Sequence, residues 1–462
     1  MKNYDVIWIG TGQATGTVVP RLAASGKTVA LIEGGAVGGS CVNVGCTPTK
    51  TLVASARAAH MAQRSADFGV DVPDYSINME TVMGRMNAMR DNSGMEKWLR
   101  TMDGVDLYAA YAHFVSENEV QVGNEVISGD TVVIHTGTRP LKVPIDGIDS
   151  VEWLDNARLL ELTEVPEHLV IVGGSYIGLE FGQIFRRLGA EVTVIEAADQ
   201  LMPREDSDIA QAAQDILTDG GIDVRVSARV ESVATASNGE VAVTFTTDGQ
   251  SETILGSHLL LAVGRVPNSD ALQLDNAGVA TSNRGYIEVN DVLQTGVEHI
   301  YAVGDVNGRG AFTHTSVNDG ETFWDHYATV HGLDGAGDRT LADRIPIYAM
   351  YIDPPLGRIG MSEKEARESG RNVLMATRPM SAISRAREKD ETQGLIKILV
   401  DADTEEFLGA TILGVGGDEI INIFAPFMYT KQSYKDFRKA VFAHPTVAEL
   451  LPWILDDLAP LT

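Results

Sequence analysis

Residues 6–16 read VIWIGTGQATG, so a short apolar strand leads directly into a glycine-rich turn. After a helical stretch, a second apolar strand ends in Glu33. Glycines allow a tight turn and let a diphosphate approach the N–H groups at a helix N-terminus, and the terminal acid can accept hydrogen bonds from a ribose. The pattern therefore predicts a βαβ dinucleotide site. The residues predicted to bind the nucleotide are Gly10, Gly12, Gly16 and Glu33.

The same pattern recurs later in the chain. An apolar strand at residues 169–172 precedes a second glycine turn, residues 173–178, and the following strand ends in Glu196. The first glycine precedes the glutamate by the same number of residues in both copies. Neither copy is ideal, because Thr15 holds the third glycine position in the first and Ser175 the middle position in the second. One such motif is a weak signal, whereas two at matched spacing predict two dinucleotide sites.

The chain has 2 cysteines, Cys41 and Cys46, within the stretch GGSCVNVGCTPTK at residues 38–50. A protein of this size gains little from one short-range disulfide, and a structural zinc site normally recruits four ligands. The pair therefore indicates redox chemistry. Pro48 suits the first turn of a helix, which would place Cys46 at the helix N-terminus, where the dipole favours a thiolate.

This stretch resembles the active-site signature of class I pyridine nucleotide–disulfide oxidoreductases, a family that includes dihydrolipoamide dehydrogenase, glutathione reductase and mercuric reductase. The resemblance covers nearly the whole chain and includes TGTRP at residues 136–140, GRVPN at 264–268 and YAVGD at 301–305. It implies an α/β fold with two Rossmann-like dinucleotide-binding domains and a C-terminal α+β dimerisation domain. The expected segments are 1–150 for FAD, 151–265 for NAD(P), 266–340 for the central FAD segment and 341–462 for dimerisation.

The resemblance implies that FAD and a nicotinamide nucleotide both bind. The residues implied for FAD are Gly10, Gly12, Gly16, Glu33, Gly39, Ser40, Thr136, Gly137, Arg265, Gly304, Asp305, Thr313 and His314. Those implied for NAD(P) are Gly173, Ser175, Gly178, Glu196 and Gly264. A 2′-phosphate would meet the Glu196 carboxylate, so NADH is expected to be preferred over NADPH, although three arginines of this unit could soften the preference. These are Arg186, Arg187 and Arg204.

Catalytic roles also follow from the resemblance. It implies Cys41 as the thiol that attacks substrate and Cys46 as the charge-transfer thiol beside the flavin. Lys50 matches the lysine near flavin N5 and pairs with Glu180, and Tyr176 matches a gate that swings aside for nicotinamide. Near the C-terminus, HPTVAE at residues 444–449 matches the family's acid–base motif, with Glu449 orienting His444. In the family this histidine reaches the cysteines of the other subunit, which implies a homodimer.

Composition limits which partners the protein is expected to bind and indicates where in the cell it is expected to lie. The formal net charge is −28, a field that repels nucleic acid and anionic membranes, so neither is expected to bind. No apolar run approaches the roughly 20 residues of a membrane span, and the N-terminus has no signal-peptide organisation. A cytoplasmic location is therefore expected, and no metal site is predicted.

The sequence does not identify the substrate and leaves three hypotheses for the function. The leading hypothesis is NADH-dependent reduction of a small or protein-borne disulfide. A mercuric-reductase-like metal-ion or quinone reductase is the alternative, although the chain ends without the C-terminal cysteine pair of mercuric reductases. A non-catalytic redox-sensing flavoprotein is the third. Methionines at helical spacing suggest a packing stripe first and a soft-metal path second; they are Met79, Met83, Met86 and Met89.

Overall fold

Residues 1–91 and 93–461 are described by a computed structural model, in which the chain forms two units, each assembled from three stretches. The first unit comprises Met1–Thr51, Gly84–Leu141 and Gly264–Arg344. The second comprises Leu52–Met83, Lys142–Val263 and Ile345–Thr462. Among the described residues, no helix has both the length and the apolar character that crossing a membrane requires.

The strands are, in chain order, β1 (Lys2–Ile9), β2 (Val29–Glu33), β3 (Val105–Ala109), β4 (Ala112–Phe114), β5 (Glu119–Val122), β6 (Glu125–Ile134), β7 (Thr138–Pro140), β8 (His168–Val172), β9 (Glu191–Ile195), β10 (Asp223–Arg225), β11 (Ala228–Thr235), β12 (Val241–Thr247), β13 (Gln250–Gly256), β14 (His258–Leu261), β15 (Arg265–Pro267), β16 (Ile300–Ala302), β17 (Ile347–Met350), β18 (Leu356–Gly360), β19 (Val373–Pro379), β20 (Leu395–Asp401), β21 (Phe407–Leu413) and β22 (Ala459–Pro460).

The α-helices are, in chain order, α1 (Thr15–Ala24), α2 (Gly39–Asn43), α3 (Cys46–Gln63), α4 (Met79–Arg90), α5 (Ser93–Arg100), α6 (Asn156–Leu159), α7 (Tyr176–Leu188), α8 (Ser207–Asp219), α9 (Thr313–His331), α10 (Glu363–Glu368), α11 (Ser384–Glu388), α12 (Gly417–Ile420), α13 (Phe424–Tyr429), α14 (Tyr434–Arg438) and α15 (Leu451–Ile454).

The first unit is built around a seven-stranded sheet. Its order is β3-β2-β1-β6-β5-β4, and β16 pairs with the second half of β6. The central strands are parallel, and their apolar residues are buried on both faces, as expected where helices cover a parallel sheet. One face packs on α1 and α9 through a cluster that includes Val18, Leu22, Phe323 and Tyr327.

The strand register places three loops of the first unit at the same edge of the seven-stranded sheet. Ile9 of β1 is paired with Ile134 of β6, and Ile134 is paired with Ala302 of β16. Because these strands are parallel, the residues that follow each of them emerge side by side at the carboxyl edge. In open α/β sheets this edge binds the ligand.

The second unit contains three separate sheets. A parallel sheet runs β10-β9-β8-β14, a three-stranded antiparallel sheet runs β11-β12-β13, and a six-stranded antiparallel sheet runs β17-β18-β21-β20-β19-β22. In the parallel sheet, Val172 of β8 is paired with both Ile195 of β9 and Leu261 of β14. The turn after β8 therefore lies at a carboxyl edge, as the first glycine turn does. The six-stranded sheet packs on an aromatic-rich cluster that includes Phe407, Phe424 and Phe437.

Candidate active site

The first glycine turn joins β1 to α1. Gly10 has a φ of +109°, and a Cβ at this position would lie 2.2 Å from the carbonyl oxygen of His135. A Cβ on Gly12 would lie 2.3 Å from Nε2 of His135, so both positions need glycine. A Cβ on Gly16 would meet nothing within 4 Å. Gly10 and Gly12 therefore create the close approach that a diphosphate needs, and sterics do not require the third glycine.

Thr15 takes the third glycine position of this turn, and its side chain links the turn to β1. Its hydroxyl donates to the carbonyl of Gly10 at 3.3 Å and accepts a hydrogen bond from Nε1 of Trp8 at 3.0 Å. Both side chains are buried. The departure from the ideal glycine pattern is thus compensated by a hydroxyl that fixes the turn to β1.

Glu33 lies at the carboxyl end of β2, where the sequence predicts a ribose-binding acid. Its Oε2 accepts hydrogen bonds from the backbone N–H and hydroxyl of Thr11, at 2.9 and 2.6 Å, and its Oε1 accepts one from the N–H of Gly35 at 2.8 Å. The carboxylate also lines a cavity of about 300 Å³. Other residues in its wall are Val37, Asn43, Glu96, Arg100 and Leu107.

A second part of this site follows β16. Asp305 accepts a hydrogen bond from the hydroxyl of Thr138 at 3.1 Å, and Arg265 donates to that hydroxyl at 2.8 Å and to the carbonyl of Thr138 at 2.6 Å. Burial raises the pKa of the Asp305 carboxyl, and the nearby Arg265 charge opposes this effect. A partly buried carboxylate at this edge can accept a hydrogen bond from a ligand hydroxyl.

The loop at residues 136–138 is fixed by Asn268, whose side chain donates to the carbonyl of Thr136 at 2.8 Å. The hydroxyl of Thr136 returns a bond to the carbonyl of Asn268 at 2.8 Å, and the Asn268 N–H donates to the carbonyl of Gly137 at 3.0 Å. These reciprocal bonds hold the two predicted loops of the first unit together.

Asp319 is a buried residue that no sequence motif singled out. It lies on α9 and accepts hydrogen bonds from the N–H of Gly304 at 2.7 Å and from the Asn307 side chain at 2.9 Å. Arg344 is bonded to its other oxygen. Asp319 therefore fixes the position of the Gly304–Asp305 loop relative to α9.

The cysteine pair lies in the same unit. Cys41 is on the short α2, and Cys46 is the first residue of α3, where the sequence predicts a helix N-terminus. The Cys46 sulfur lies 3.4 Å from the hydroxyl oxygen of Thr313. The hydrogen bond with Cys46, together with burial, raises the pKa of the Cys41 thiol. Cys41 therefore needs a base to become a nucleophile at neutral pH.

Two close approaches tie the cysteine segment to the first glycine turn. Gly39 has a φ of +67°, and a Cβ on it would lie 2.9 Å from Cα of Gly12. The N–H of Gly38 donates to the hydroxyl of Thr11 at 3.0 Å. Ser40 follows Gly39 on α2, and its carbonyl oxygen would lie 2.8 Å from a Cβ on Gly45. The redox pair is therefore held beside the turn predicted to bind the dinucleotide.

Thr313 and His314 begin α9. The His314 ring stacks on Phe312 with centroids 5.5 Å apart, and the N–H of Phe312 donates to the Thr315 hydroxyl at 3.0 Å. The helix N-terminus is thus fixed close to Cys46. Taken together, the glycine cradle, the cavity at Glu33 and the Asp305 loop fit an FAD dinucleotide, and the cysteines stand next to them.

In the second unit, a glycine turn joins β8 to α7. Gly173 has a φ of +113°, and a Cβ on it would lie 2.4 Å from the carbonyl oxygen of Ala262. A Cβ on Gly178 would lie 2.2 Å from the carbonyl oxygen of Gly173. Ser175 is the N-cap residue of α7, with extended backbone angles. Gly264, also predicted to bind NAD(P), has a φ of +125° and begins a stretch of the first unit. The turn has the close contacts of a dinucleotide-binding βα loop.

Glu196 lies at the end of the next strand, as predicted. It accepts hydrogen bonds from the N–H groups of Gly174, at 2.6 Å, and Ala198, at 2.8 Å. Of the three arginines considered for a 2′-phosphate, Arg186 donates to the carbonyl of Ala190 at 3.1 Å and Arg187 to Asp353 at 2.6 Å. Arg204 is exposed.

Tyr176, the first residue of α7, is bonded to a carboxylate that sequence reasoning missed. Its phenol donates to Oε1 of Glu205 at 2.6 Å. Tyr348 donates to the same oxygen at 2.6 Å, and Arg358 donates to Oε2 at 2.7 Å. Burial and the Glu205 charge raise the pKa of Tyr176. The only sequence signal for Glu205 was its place in an acidic run, residues 205–208.

The predicted Lys50–Glu180 pair involves residues of different units. Lys50 lies on α3, in the part of that helix that belongs to the first unit. Glu180 is buried on α7 and accepts a hydrogen bond from the N–H of Tyr351 at 2.9 Å. Their pairing stays a prediction.

His444 and Glu449 form a pair near the C-terminus. Nδ1 of His444 lies 3.0 and 2.9 Å from the two carboxylate oxygens of Glu449. The His444 side chain is 76% exposed in the single chain, whereas that of Glu449 is 16% exposed. A carboxylate that accepts from Nδ1–H directs Nε2 outward as the proton-exchanging atom.

Two clusters of side chains contain possible metal ligands. Of the methionines on α4, Met83 and Met86 are buried, which favours packing, and Met89 is 59% exposed. Asp206, Asp208 and Glu363 converge in the second unit. The ammonium group of Lys397 lies among these carboxylates, 2.7 Å from oxygens of Asp208 and Glu363 and 3.3 Å from Asp206, so a cation is already present there.

Comparisons with known proteins agree with this geometry. A family model for pyridine nucleotide-disulphide oxidoreductases matches residues 4–320, and the dimerisation domain of that family matches residues 347–455. The chain is 38% identical to the probable pyridine nucleotide-disulfide oxidoreductase RclA of Escherichia coli K12, covering 98% of both chains. It is 32% identical to a dihydrolipoyl dehydrogenase of Haloferax volcanii, covering 96% of this chain and 94% of the relative.

A solved structure is also similar. The Cu(II) complex of the HOCl-induced flavoprotein disulfide reductase RclA from Escherichia coli superposes with a TM-score of 0.86 at 35% identity, covering 98% of this chain and 99% of that one. A mercuric reductase of Lysinibacillus sphaericus is 30% identical, covering 97% of this chain and 81% of the relative.

Proposed function

Because the chain belongs to the pyridine nucleotide–disulfide oxidoreductase family, we propose that it is a cytoplasmic, homodimeric enzyme that uses NADH to reduce a Cys41–Cys46 disulfide. The resulting dithiol then reduces a small or protein-borne disulfide. The observation that carries this proposal is the position of Cys46, at the N-terminus of α3 and 3.4 Å from Thr313. It lies in the segment whose Gly38 and Gly39 contact the glycine turn of the first unit.

FAD, when bound, supplies a carrier that takes hydride from the nicotinamide and passes an electron pair to the disulfide. The Gly10–Gly12 turn would bind its diphosphate, Glu33 its adenosine ribose and Asp305 its ribityl hydroxyls. Arg265 and Thr138 orient Asp305, and Asp319 holds the loop that carries it.

NADH is proposed to bind at the turn after β8. The N–H groups at the start of α7 would receive its diphosphate, and Glu196 would accept hydrogen bonds from the adenosine ribose. A 2′-phosphate in the same place would repel that carboxylate. Tyr176 would move aside when nicotinamide binds, which requires its hydrogen bond to Glu205 to break.

The thiol steps follow from the environment of each sulfur. His444 of the partner subunit removes the Cys41 proton, since the hydrogen bond with Cys46 and burial raise the pKa of that thiol. The Cys41 thiolate attacks the substrate disulfide and forms a mixed disulfide, and the same histidine returns the proton to the departing thiolate. Cys46, as a thiolate at the start of α3, then attacks the Cys41 sulfur. This restores the Cys41–Cys46 disulfide and releases the second substrate thiolate.

Metal-ion reduction is the second candidate. It is favoured by the similarity to an Escherichia coli flavoprotein disulfide reductase that is described as a Cu(II) complex and to mercuric reductases. The same dithiol could deliver electrons to a thiophilic metal ion.

The test is oxidation of NADH and of NADPH by the purified holoenzyme with a panel of acceptors. The panel contains lipoamide, glutathione disulfide, cystine, Cu(II), Hg(II) and a quinone. Saturable turnover with one disulfide at a rate well above those of the metals supports the proposal. Turnover with metal ions alone would replace it with the second candidate.

A further inference from the structure

His135 is a buried histidine at the carboxyl edge of the first unit's sheet. It directly follows β6, and its N–H donates to the carbonyl of Ile9, the last residue of β1, at 2.7 Å. The pairing of Ile9 with Ile134 fixes its place along the edge. The backbone of His135 is therefore set by the sheet itself.

The His135 ring lies between two glycines that belong to separate FAD-binding loops. Its Nε2 would lie 2.3 Å from a Cβ on Gly12, and its Cε1 would lie 3.3 Å from a Cβ on Gly304. The Trp8 ring packs against the His135 ring, with the two ring centroids 5.8 Å apart. An imidazole thus stands where the first glycine turn and the Gly304–Asp305 loop converge.

The nitrogens of this ring are poorly satisfied by the protein. Among the described residues, Nδ1 has no hydrogen-bond partner, and Nε2 has one long contact, 3.5 Å from the hydroxyl oxygen of Ser316. The side chain is only 6% exposed. Leaving a buried polar atom without a partner costs about 1–3 kcal/mol, and native proteins keep few of them. A residue that only filled space here would not need nitrogen atoms.

Burial also sets the state of the ring. It lowers the pKa of His135 to about 4, so the imidazole is neutral near pH 7 in the protein alone. A neutral imidazole always carries one N–H donor, whichever tautomer it adopts. With the proton on Nδ1, that N–H has no acceptor among the described residues, and the oxygens of a diphosphate are strong acceptors.

We propose that His135 binds FAD by donating a hydrogen bond to its diphosphate, between Gly12 and Gly304. The inference rests on the proposed FAD-dependent function and adds a side-chain donor for the diphosphate, which is otherwise assigned to the backbone of the Gly10–Gly12 turn. The glycines permit the approach, and His135 supplies a side-chain N–H in addition to the backbone N–H groups of the turn.

The test is the rate at which the purified holoenzyme releases FAD after dilution, followed by flavin fluorescence. His135→Ala and His135→Phe remove the donor, and Phe keeps a ring. His135→Asn keeps an N–H donor on a shorter side chain. His113→Ala, on β4 of the same unit, is the matched control.

We expect Ala and Phe to speed release at least about tenfold, Asn to stay within about threefold of the wild type, and the control to be unchanged. Wild-type release rates for Ala and Phe would overturn the inference, as would an Asn variant that releases FAD as fast as the Phe variant.

A measurement on the unmodified protein covers the case in which the variants do not fold. In protein labelled with ¹⁵N-histidine, at least one ring nitrogen of His135 should change its chemical shift between the FAD-loaded and FAD-depleted forms. Identical shifts would overturn the inference. If the wild type takes up no flavin, the proposed function fails. If it binds FAD and its His135 shifts do not change, only this inference fails.

Discussion

The phenol oxygen of Tyr176 lies 2.6 Å from Oε1 of Glu205, and this carboxylate is shared with Tyr348 and Arg358. Glu205 and Arg358 are both buried. Two residues of the six-stranded-sheet region therefore fix the carboxylate that holds the first residue of α7. Any movement of the Tyr176 ring must break a hydrogen bond to a buried charge.

We predict that Tyr176→Phe lowers the KM for NADH, because the ring no longer has to leave Glu205. A loss of about 1 kcal/mol of hydrogen-bond energy corresponds to about a fivefold change. Steady-state kinetics with varied NADH measure it. Tyr348→Phe is the control, since it removes the other phenol from the same oxygen and should leave KM unchanged. Equal KM values for Tyr176→Phe and the wild type would contradict the proposal that Tyr176 moves aside when nicotinamide binds.

Glu196 is predicted to set the choice of nucleotide. Glu196→Gln removes the charge and keeps one acceptor oxygen, which can accept from the N–H of either Gly174 or Ala198 but not from both. The ratio of kcat/KM for NADH to that for NADPH should fall at least about tenfold, mainly through a better reaction with NADPH. Glu191→Gln, at the exposed start of the same strand, should leave the ratio unchanged. An unchanged ratio in Glu196→Gln would place the discrimination elsewhere.

His444 is predicted to act only in the thiol half of the reaction. His444→Gln should lower disulfide reduction by about 10²–10⁴-fold, the usual contribution of a general acid–base, while NADH-dependent quinone reduction is unchanged. Glu449→Gln should show the same selectivity with a smaller loss, because it removes the charge and one of the two oxygens that contact Nδ1 but keeps one acceptor. His331→Gln, at the end of α9, serves as the control. An equal loss of both activities would argue for a structural role.

Lys397 is predicted to stabilise the second unit. Burial alone lowers its pKa, but hydrogen bonds to Asp208 and Glu363 outweigh this effect and raise it. Burial likewise opposes ionisation of Glu363, yet the bond from Lys397 holds the pKa of that carboxyl below its ordinary value. Stability from the lysine is present below its unfolded-state pKa and lost as pH rises through the raised folded value. Stability from Glu363 is present above its unfolded-state pKa and lost as pH falls.

Lys397→Met should therefore cost about 3–5 kcal/mol near pH 7, because the three carboxylates lose the buried cation that they share, while Glu363 keeps its ion pair with Arg367. The free energy of unfolding from urea titrations at pH 5, 7 and 9 measures it. Lys435→Met, which removes an exposed partner of Glu405, is the control and should cost less than about 1 kcal/mol. Similar losses in the two variants would show that the buried cluster contributes little.

Local patterns predicted much of this protein. The fold class and the family are confirmed, because strand–glycine–helix spacing and the cysteine stretch are local features that survive folding. The helix start at Cys46 and the acids at the ends of β2 and β9 lie where the sequence places them. Motif spacing also predicts a nucleotide-binding glycine at Gly16. A side chain at that position would meet no neighbour, and the Thr15 hydroxyl fixes the turn.

The residues that sequence reasoning missed act across long separations. Asp319 approaches Gly304 from α9, Glu205 approaches Tyr176 from the segment before α8, and His135 approaches Gly12 from the end of β6. None of these belongs to a repeating local pattern, so only the packed structure brings them together. The one available signal for His135 was a polar residue directly after the apolar stretch at residues 132–134.

The most direct test of the central claim is Cys41→Ser, assayed with the best disulfide acceptor and with a quinone. The account predicts that disulfide reduction falls at least about a thousandfold, because the attacking sulfur is gone. NADH-dependent quinone reduction should stay within about twofold of the wild type, since it needs no thiol. Disulfide reduction that persists in Cys41→Ser would contradict the claim that electrons leave this enzyme through the Cys41–Cys46 pair.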